Sequence, residues 1–169
     1  MSLQWVSRLP HSWQAWAIKI GFNLHPAFRG TGGRVDYVSP DLDRVRIRLP
    51  LNWRTRNVVG SIYGGSLFAV TDGAHPTLLM MALGKDVIVW DKAASIRYRK
   101  PGRHTLYAEF HIPPEEIDDI RAVLEREGKT ERTYQVELKD QAGHVYALVE
   151  RTVYIAKKSH YKKKLAEKA

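Results

Sequence analysis

NVVGSIYGGSLFAVTDGAHPTLLMMALG, residues 57–84, is the stretch from which the fold is read. It opens with small, turn-forming residues, Asn57, Gly60, Ser61, Gly64 and Gly65, and then becomes apolar. Over residues 67–83 the apolar side chains Leu67, Phe68, Val70, Leu78, Leu79, Met80, Met81 and Leu83 fall on every face of a helix. A helix that is apolar all round is expected to be buried. It is shorter than the roughly 20 residues that a bilayer requires, and it carries Asp72 and His75. The reading therefore puts a carboxylate inside a core helix, where an unpaired charge costs several kcal/mol, roughly, and is retained for pairing or for chemistry.

Upstream, residues 11–22 are expected to form a helix, with Trp13, Trp16, Ala17 and Ile20 as its inward stripe and Ser12 as its cap. Residues 24–33 are rich in Gly and Pro and are expected to be a loop. Two strands follow, 34–38 and 44–49. In the second, Val45, Ile47 and Leu49 alternate with Arg44, Arg46 and Arg48, the pattern of a hairpin with one wet face.

Downstream, residues 87–99 form a β stretch too long to lack a bend, with Ile88, Trp90, Ala94, Ile96 and Tyr98 in one parity. Residues 105–112 return after Pro101-Gly102. Pro113-Pro114 then opens a peripheral helix over 115–127, whose acidic first turn suits the positive end of the helix dipole. Strands over 133–139 and 145–155 complete the chain, the last with apolar residues on both faces, which favours self-association. Hairpin-linked strands around one apolar helix give an α+β layout, an antiparallel sheet wrapped around a long central helix. With 169 residues, one domain over 1–156 is expected, residues 1–33 being an N-terminal helix and loop.

The formal charge is +9, yet six lysines lie from Lys157 onward against the single acid Glu167. More than half of the excess is thus in a tail, residues 157–169, read as solvated. No nucleic-acid module is recognisable, so no specific nucleic-acid partner is expected. The absence of cysteine removes disulfides, thiolate metal sites and a cysteine nucleophile, and the seven histidines lack metal-ligand spacing, so no metal is expected. No secretory signal or transmembrane segment is visible at the N-terminus, and the expected location is the cytoplasm.

The pattern Asn57-x-x-Gly60-x-x-Tyr63-Gly64-Gly65, with Asp72 nine residues after Tyr63, resembles the Asn-x-x-Gly-x-x-His-Gly-Gly…Asp signature of hot-dog-fold acyl-CoA thioesterases, the phenylacetate-pathway type in particular. The run from Ala94 to Gly102 is similar to that family's strand ending in an Arg-Pro-Gly-like turn. The inserted helix after Ile112 and the Lys139-Asp140-x-x-Gly143 turn resemble an uncharacterised thioesterase-like branch of the same fold.

The resemblance implies hydrolysis of an acyl-CoA or related thioester, coenzyme A being part of the substrate rather than a cofactor. It implies that a backbone N–H at Gly64 or Gly65 polarises the carbonyl, that Asp72 is base or nucleophile, and that Asn57 holds the loop or the water. It also implies a homodimer or dimer of dimers with sites shared between subunits. Gly60, Ser61 and His75 are candidate substrate-binding residues, and His75, three residues after Asp72, is also a candidate to pair with it. Arg99, Lys100 and Arg103, around the Pro101-Gly102 turn, are candidates for the phosphates of CoA. Tyr63, counted with Asp72, Asn57, Gly64 and Gly65 as a candidate catalytic residue able to hydrogen-bond the thioester, stands where the family has His and stays neutral near pH 7. The alternative is a hot-dog module that binds an acyl ligand without turnover; hydratase chemistry on the same fold lacks its own signature here.

Overall fold

The computed structural model describes Val6 and residues 9–166. Six strands form one antiparallel sheet: β1 Arg34–Val38, β2 Arg44–Leu49, β3 Val87–Tyr98, β4 Leu106–His111, β5 Lys129–Lys139 and β6 Val145–Lys157, in the order β1-β2-β4-β5-β6-β3. Val45, Ile47 and Leu49 point into the core and the three arginines between them point out, as the alternation requires.

Against this sheet pack α1 His11–Leu24, α2 Pro26–Gly30, α3 Gly64–Ala69, α4 Ala74–Leu83 and α5 Pro114–Glu127. The α5 stripe is the expected one, Ile117, Ile120 and Leu124, and Gly128 ends it in the left-handed region at φ 75°. The α+β architecture, the N-terminal helix and the peripheral helix are as expected. Four local features differ.

First, the central helix is two helices. Between α3 and α4 the chain turns through residues 70–73, with Gly73 left-handed at φ 81°. Pro76 is therefore the third residue of a new helix, in the first turn where its missing N–H is not required. Val70 and Thr71 stay fully buried, and Asp72 turns outward.

Second, α1 is rotated from the expected face, with only Ala17 of the expected stripe inward. Ala17 and Ile18 are buried while Trp13, Trp16, Ile20 and Leu24 are exposed. Small residues, Ala17 and Gly21, let the helix approach closely, which the indoles would prevent. The helix starts at His11 after Pro10, so Ser12 lies inside it and is not its cap. Asn23 locks α1 to the edge strand β1 by accepting from Val35 N at 2.9 Å and donating to Val35 O at 2.8 Å. The segment expected as loop contains α2, with Pro26 at its first position.

Third, β3 contains a bulge between Asp91 and Ala93. Asp91 pairs with Val153 and Ala94 with Arg151, so the inward file runs Val87, Val89, Asp91, then Ala94, Ile96, Tyr98. Ile88 and Trp90 thus face away from Ile96, contrary to the single parity expected. Lys92 is the extra residue.

Fourth, residues 158–166 of the expected solvated tail form a helix, α6. It is docked: the Tyr161 ring meets Trp90 at 5.5 Å, and His160 fills the space beside Gly128. Lys158, Lys162 and Lys163 remain exposed; residues 167–169 lie outside the described residues.

Candidate active site

The glycine-rich segment is a loop built on one side chain. Asn57 Oδ1 accepts from Val59 N at 3.1 Å and Ser61 N at 3.0 Å, and its Nδ2 donates to Ser61 Oγ at 2.9 Å. Gly60 at φ 79° makes the return possible. The loop is tied down by Tyr63 N donating to Thr55 O at 2.7 Å and Ile62 N donating to Gly102 O at 2.8 Å. Of the two expected roles for Asn57, holding the loop is the one seen.

Tyr63 then starts α3, accepting from Ser66 N and Leu67 N. The N–H groups of Gly64 and Gly65 donate to no protein acceptor among the described residues. Both positions are crowded by tyrosine side chains, so a larger residue at either would displace one. A Cβ on Gly65 would sit 2.3 Å from the Tyr63 ring, and one on Gly64 would sit 3.0 Å from the Tyr98 hydroxyl, which donates to Gly64 O at 3.1 Å. Tyr63 is itself exposed.

Asp72 lies at the far end of α3. It is not buried, as a core-helix position requires; its side chain is 67% exposed because residues 70–73 leave the helix. Its Oδ1 is 3.5 Å from Nη1 of Arg151, a residue only 4% exposed. Arg151 donates from the same nitrogen to Asp91 Oδ2 at 2.7 Å, from Nε to Thr71 Oγ1 at 3.0 Å and from Nη2 to Phe68 O at 3.0 Å. The Phe68 ring stacks on the guanidinium at 5.0 Å. The acid expected in the core is thus at the surface, and the buried charge is an arginine from β6.

Asp91 is the second carboxyl of the group. Its pKa is raised to about 6, first by burial and then by hydrogen bonding and charge from the neighbouring Asp72 carboxyl, with Arg151 opposing both. Asp91 Oδ1 is buried without a partner among the described residues. A proton on Asp91 would make it a donor toward Asp72. Two carboxyls and one arginine therefore form a site able to hold and release a proton near neutral pH.

Neither Asp91 nor Arg151 is among the residues expected from sequence. The alternation of β6 carries a signal: Arg151 shares a file with Ala147, Val149, Val153 and Ile155, all fully buried. A charge in an inward file demands a partner.

His75 does not pair with Asp72. It is buried, stacked on Tyr134 at 4.3 Å and edge-on to Phe110 at 5.1 Å, and burial lowers its pKa to about 4, assisted by Arg151. Arg99, Lys100 and Arg103 are exposed. Lys100 Nζ lies 4.4 Å over the Tyr146 ring, and the hydrogen bond between Ile62 and Gly102 sets this basic turn beside the glycine loop.

Asp72 and Gly73 also line a cleft of about 470 Å³ whose other walls are α1 and α2. A more polar groove of about 690 Å³, between residues such as Asp36, Arg46 and Glu137, lies elsewhere and contains none of these groups. Among the described residues no three His, Asp or Glu side chains are grouped to hold a metal. No described helix is long and apolar enough to cross a membrane.

Residues 14–155 match the model of a family described as Domain of unknown function (DUF4442). No curated protein matches the chain. Among solved structures, a Pseudomonas aeruginosa protein of unknown function, described as a probable thioesterase, is 21% identical with a TM-score of 0.75, over 88% of this chain and 97% of its own. The E. coli PaaI protein of the phenylacetic acid degradation operon is 17% identical with a TM-score of 0.59, over 90% and 95%. A Haemophilus influenzae thioesterase is 12% identical with a TM-score of 0.59, over 80% and 85%. At these identities the likeness shows the fold alone: the chain has the hot-dog fold.

Proposed function

Because the chain belongs to the DUF4442 family, whose function is unknown, we propose its activity from the site: hydrolysis of an acyl thioester, with coenzyme A as leaving group and Asp72 as general base or nucleophile. The observation that carries this reading is the exposed Asp72 carboxylate, set by Arg151 beside a second acid and at the edge of an apolar cleft. As base, Asp72 takes a proton from water while the water oxygen attacks the thioester carbonyl. Collapse of the tetrahedral adduct breaks the C–S bond, and the thiolate recovers the proton, giving acid and free thiol. Asp91, with its raised pKa, is suited to relay that proton.

The oxyanion in this reading meets the free N–H groups of Gly64 and Gly65. Within one chain these lie at the opposite end of α3 from Asp72, and six helical residues span roughly 9 Å. One carbonyl cannot contact both, so the reading needs a second copy that brings its glycine loop to the first copy's Asp72. The sheet order supports it. The β1 edge is covered by α1, whereas β3 is an open edge carrying exposed Trp90 and Tyr98.

Free-thiol release from a panel of acyl-CoA esters tests the proposal: many turnovers per subunit are expected for at least one ester. The second reading, an acyl-CoA binder without turnover, rests on Tyr63, which supplies no charged group where the family signature has His. Saturable binding without thiol release would favour it.

A further inference from the structure

We infer that the cleft between α1, α2 and the α3–α4 turn seats the acyl chain of the substrate, an inference that rests on the thioester reading above. Ala17, Ile18 and Gly21 form its α1 wall, and Phe22 and Phe28, edge to face with ring centroids 5.1 Å apart, join that wall to α2. Asp72 is the only carboxylate among the described residues of the lining, and it is adjacent in the chain to Gly73, which faces the Phe22 ring. A chain attached to a carbonyl under attack at Asp72 thus enters an apolar space directly.

The cleft exists because α1 turns its small residues inward. Had the tryptophan stripe faced the core, the indoles would fill the space. At about 470 Å³ the cleft is within the range of sites that enclose small molecules. It is also open where it can be tested, since a Cβ on Gly21 would have nothing within 4 Å. Gly21 lies inside α1, so Gly21→Leu improves helix propensity and introduces no backbone strain.

The test uses two non-hydrolysable thioethers, S-methyl-CoA and S-decyl-CoA, titrated by calorimetry into the full chain. Each buried methylene strengthens binding by roughly fourfold, so the decyl compound should bind at least about 100-fold more tightly. Gly21→Leu should remove at least about tenfold of that advantage. Ala27→Leu narrows the same cleft from the α2 wall and serves if the first variant does not melt like wild type. A decyl advantage that is absent in wild type, or that survives in a correctly folded variant, overturns the inference.

Thiol release from acetyl-CoA and decanoyl-CoA separates this inference from the reading beneath it. If neither ester is cleaved yet Gly21→Leu still removes the decyl advantage, the acyl cleft stands and the hydrolase falls. If both are cleaved and Gly21→Leu leaves their kcat/KM ratio unchanged, the hydrolase stands and the cleft falls.

Discussion

Arg151 and Asp91, on neighbouring strands β6 and β3, form a buried ion pair at 2.7 Å whose arginine also reaches the surface carboxylate of Asp72. Removing one member of a buried pair leaves the other charge without compensation. Arg151→Ala should therefore destabilise the fold by about 3–5 kcal/mol, read from urea midpoints. Arg151→Lys should recover only part of this, because one ammonium cannot serve Asp91, Thr71 and Phe68 O together. A midpoint unchanged in Arg151→Ala would remove the pair from the account of stability.

Asp72 is exposed, so its role is separable from folding. Asp72→Asn should change stability by less than about 0.5 kcal/mol while thiol release falls by about 10²–10⁴-fold. An active Asp72→Asn enzyme would show that the chemistry is elsewhere.

The pH dependence of stability divides between two groups of opposite sign. His75 titrates near 4 in the fold and near 6.5 when unfolded, so its contribution is lost as pH falls through that window. Asp91, raised to about 6, acts the other way: the fold holds a proton that the unfolded chain has released, and this contribution fades as pH rises from about 4 to 6. His75→Phe keeps the aromatic stack and leaves Asp91 common to both proteins. Its Tm relative to wild type should rise steadily from pH 6.5 to 4. A constant offset would mean that His75 is not held neutral by burial.

Assembly is tested by light scattering. The distance between Asp72 and the glycine pair within one chain predicts at least a homodimer at micromolar concentration. A stable monomer that still hydrolyses thioesters would exclude the shared site.

Arg99, Lys100 and Arg103 are exposed, so each contact with a CoA phosphate is screened and weak. Neutralising all three should raise KM for acyl-CoA about tenfold at low salt, and less at high salt, with little change in kcat. An equal loss with an acyl-pantetheine, which lacks the nucleotide, would show that the turn does not bind phosphate.

What could be read from the sequence is what depends on local period. Val45, Ile47 and Leu49 announce β2, Ile117, Ile120 and Leu124 announce α5, and the spacing from Asn57 to Gly65 announces the loop that Asn57 closes. What could not be read depends on shape or distance. The α3–α4 turn hides among apolar residues, since Val70 and Thr71 are as buried as helix positions; the sequence hints at a break only through Gly73 and through Pro76, whose missing N–H predicts a kink near Asp72. The orientation of α1 follows from the smallness of Ala17 and Gly21, which a hydrophobicity pattern ranks below tryptophan. Arg151 and Asp91 are 60 residues apart, and nothing local to either names the other.

The bulge at Lys92 acts as a frameshift in β3. Facing in a strand alternates with period two, so the extra residue sets the two halves of β3 in opposite phase. Deleting it would regularise the ladder while Asp91 stays opposite Val153 and Ala94 opposite Arg151, so both halves would keep their facing. A single residue gained or lost elsewhere in β3 would instead turn Asp91 away from Arg151, or Ile96 and Tyr98 away from the central helices. Homologous chains should therefore lose a single residue only at the bulge, and elsewhere along β3 should gain or lose residues in pairs.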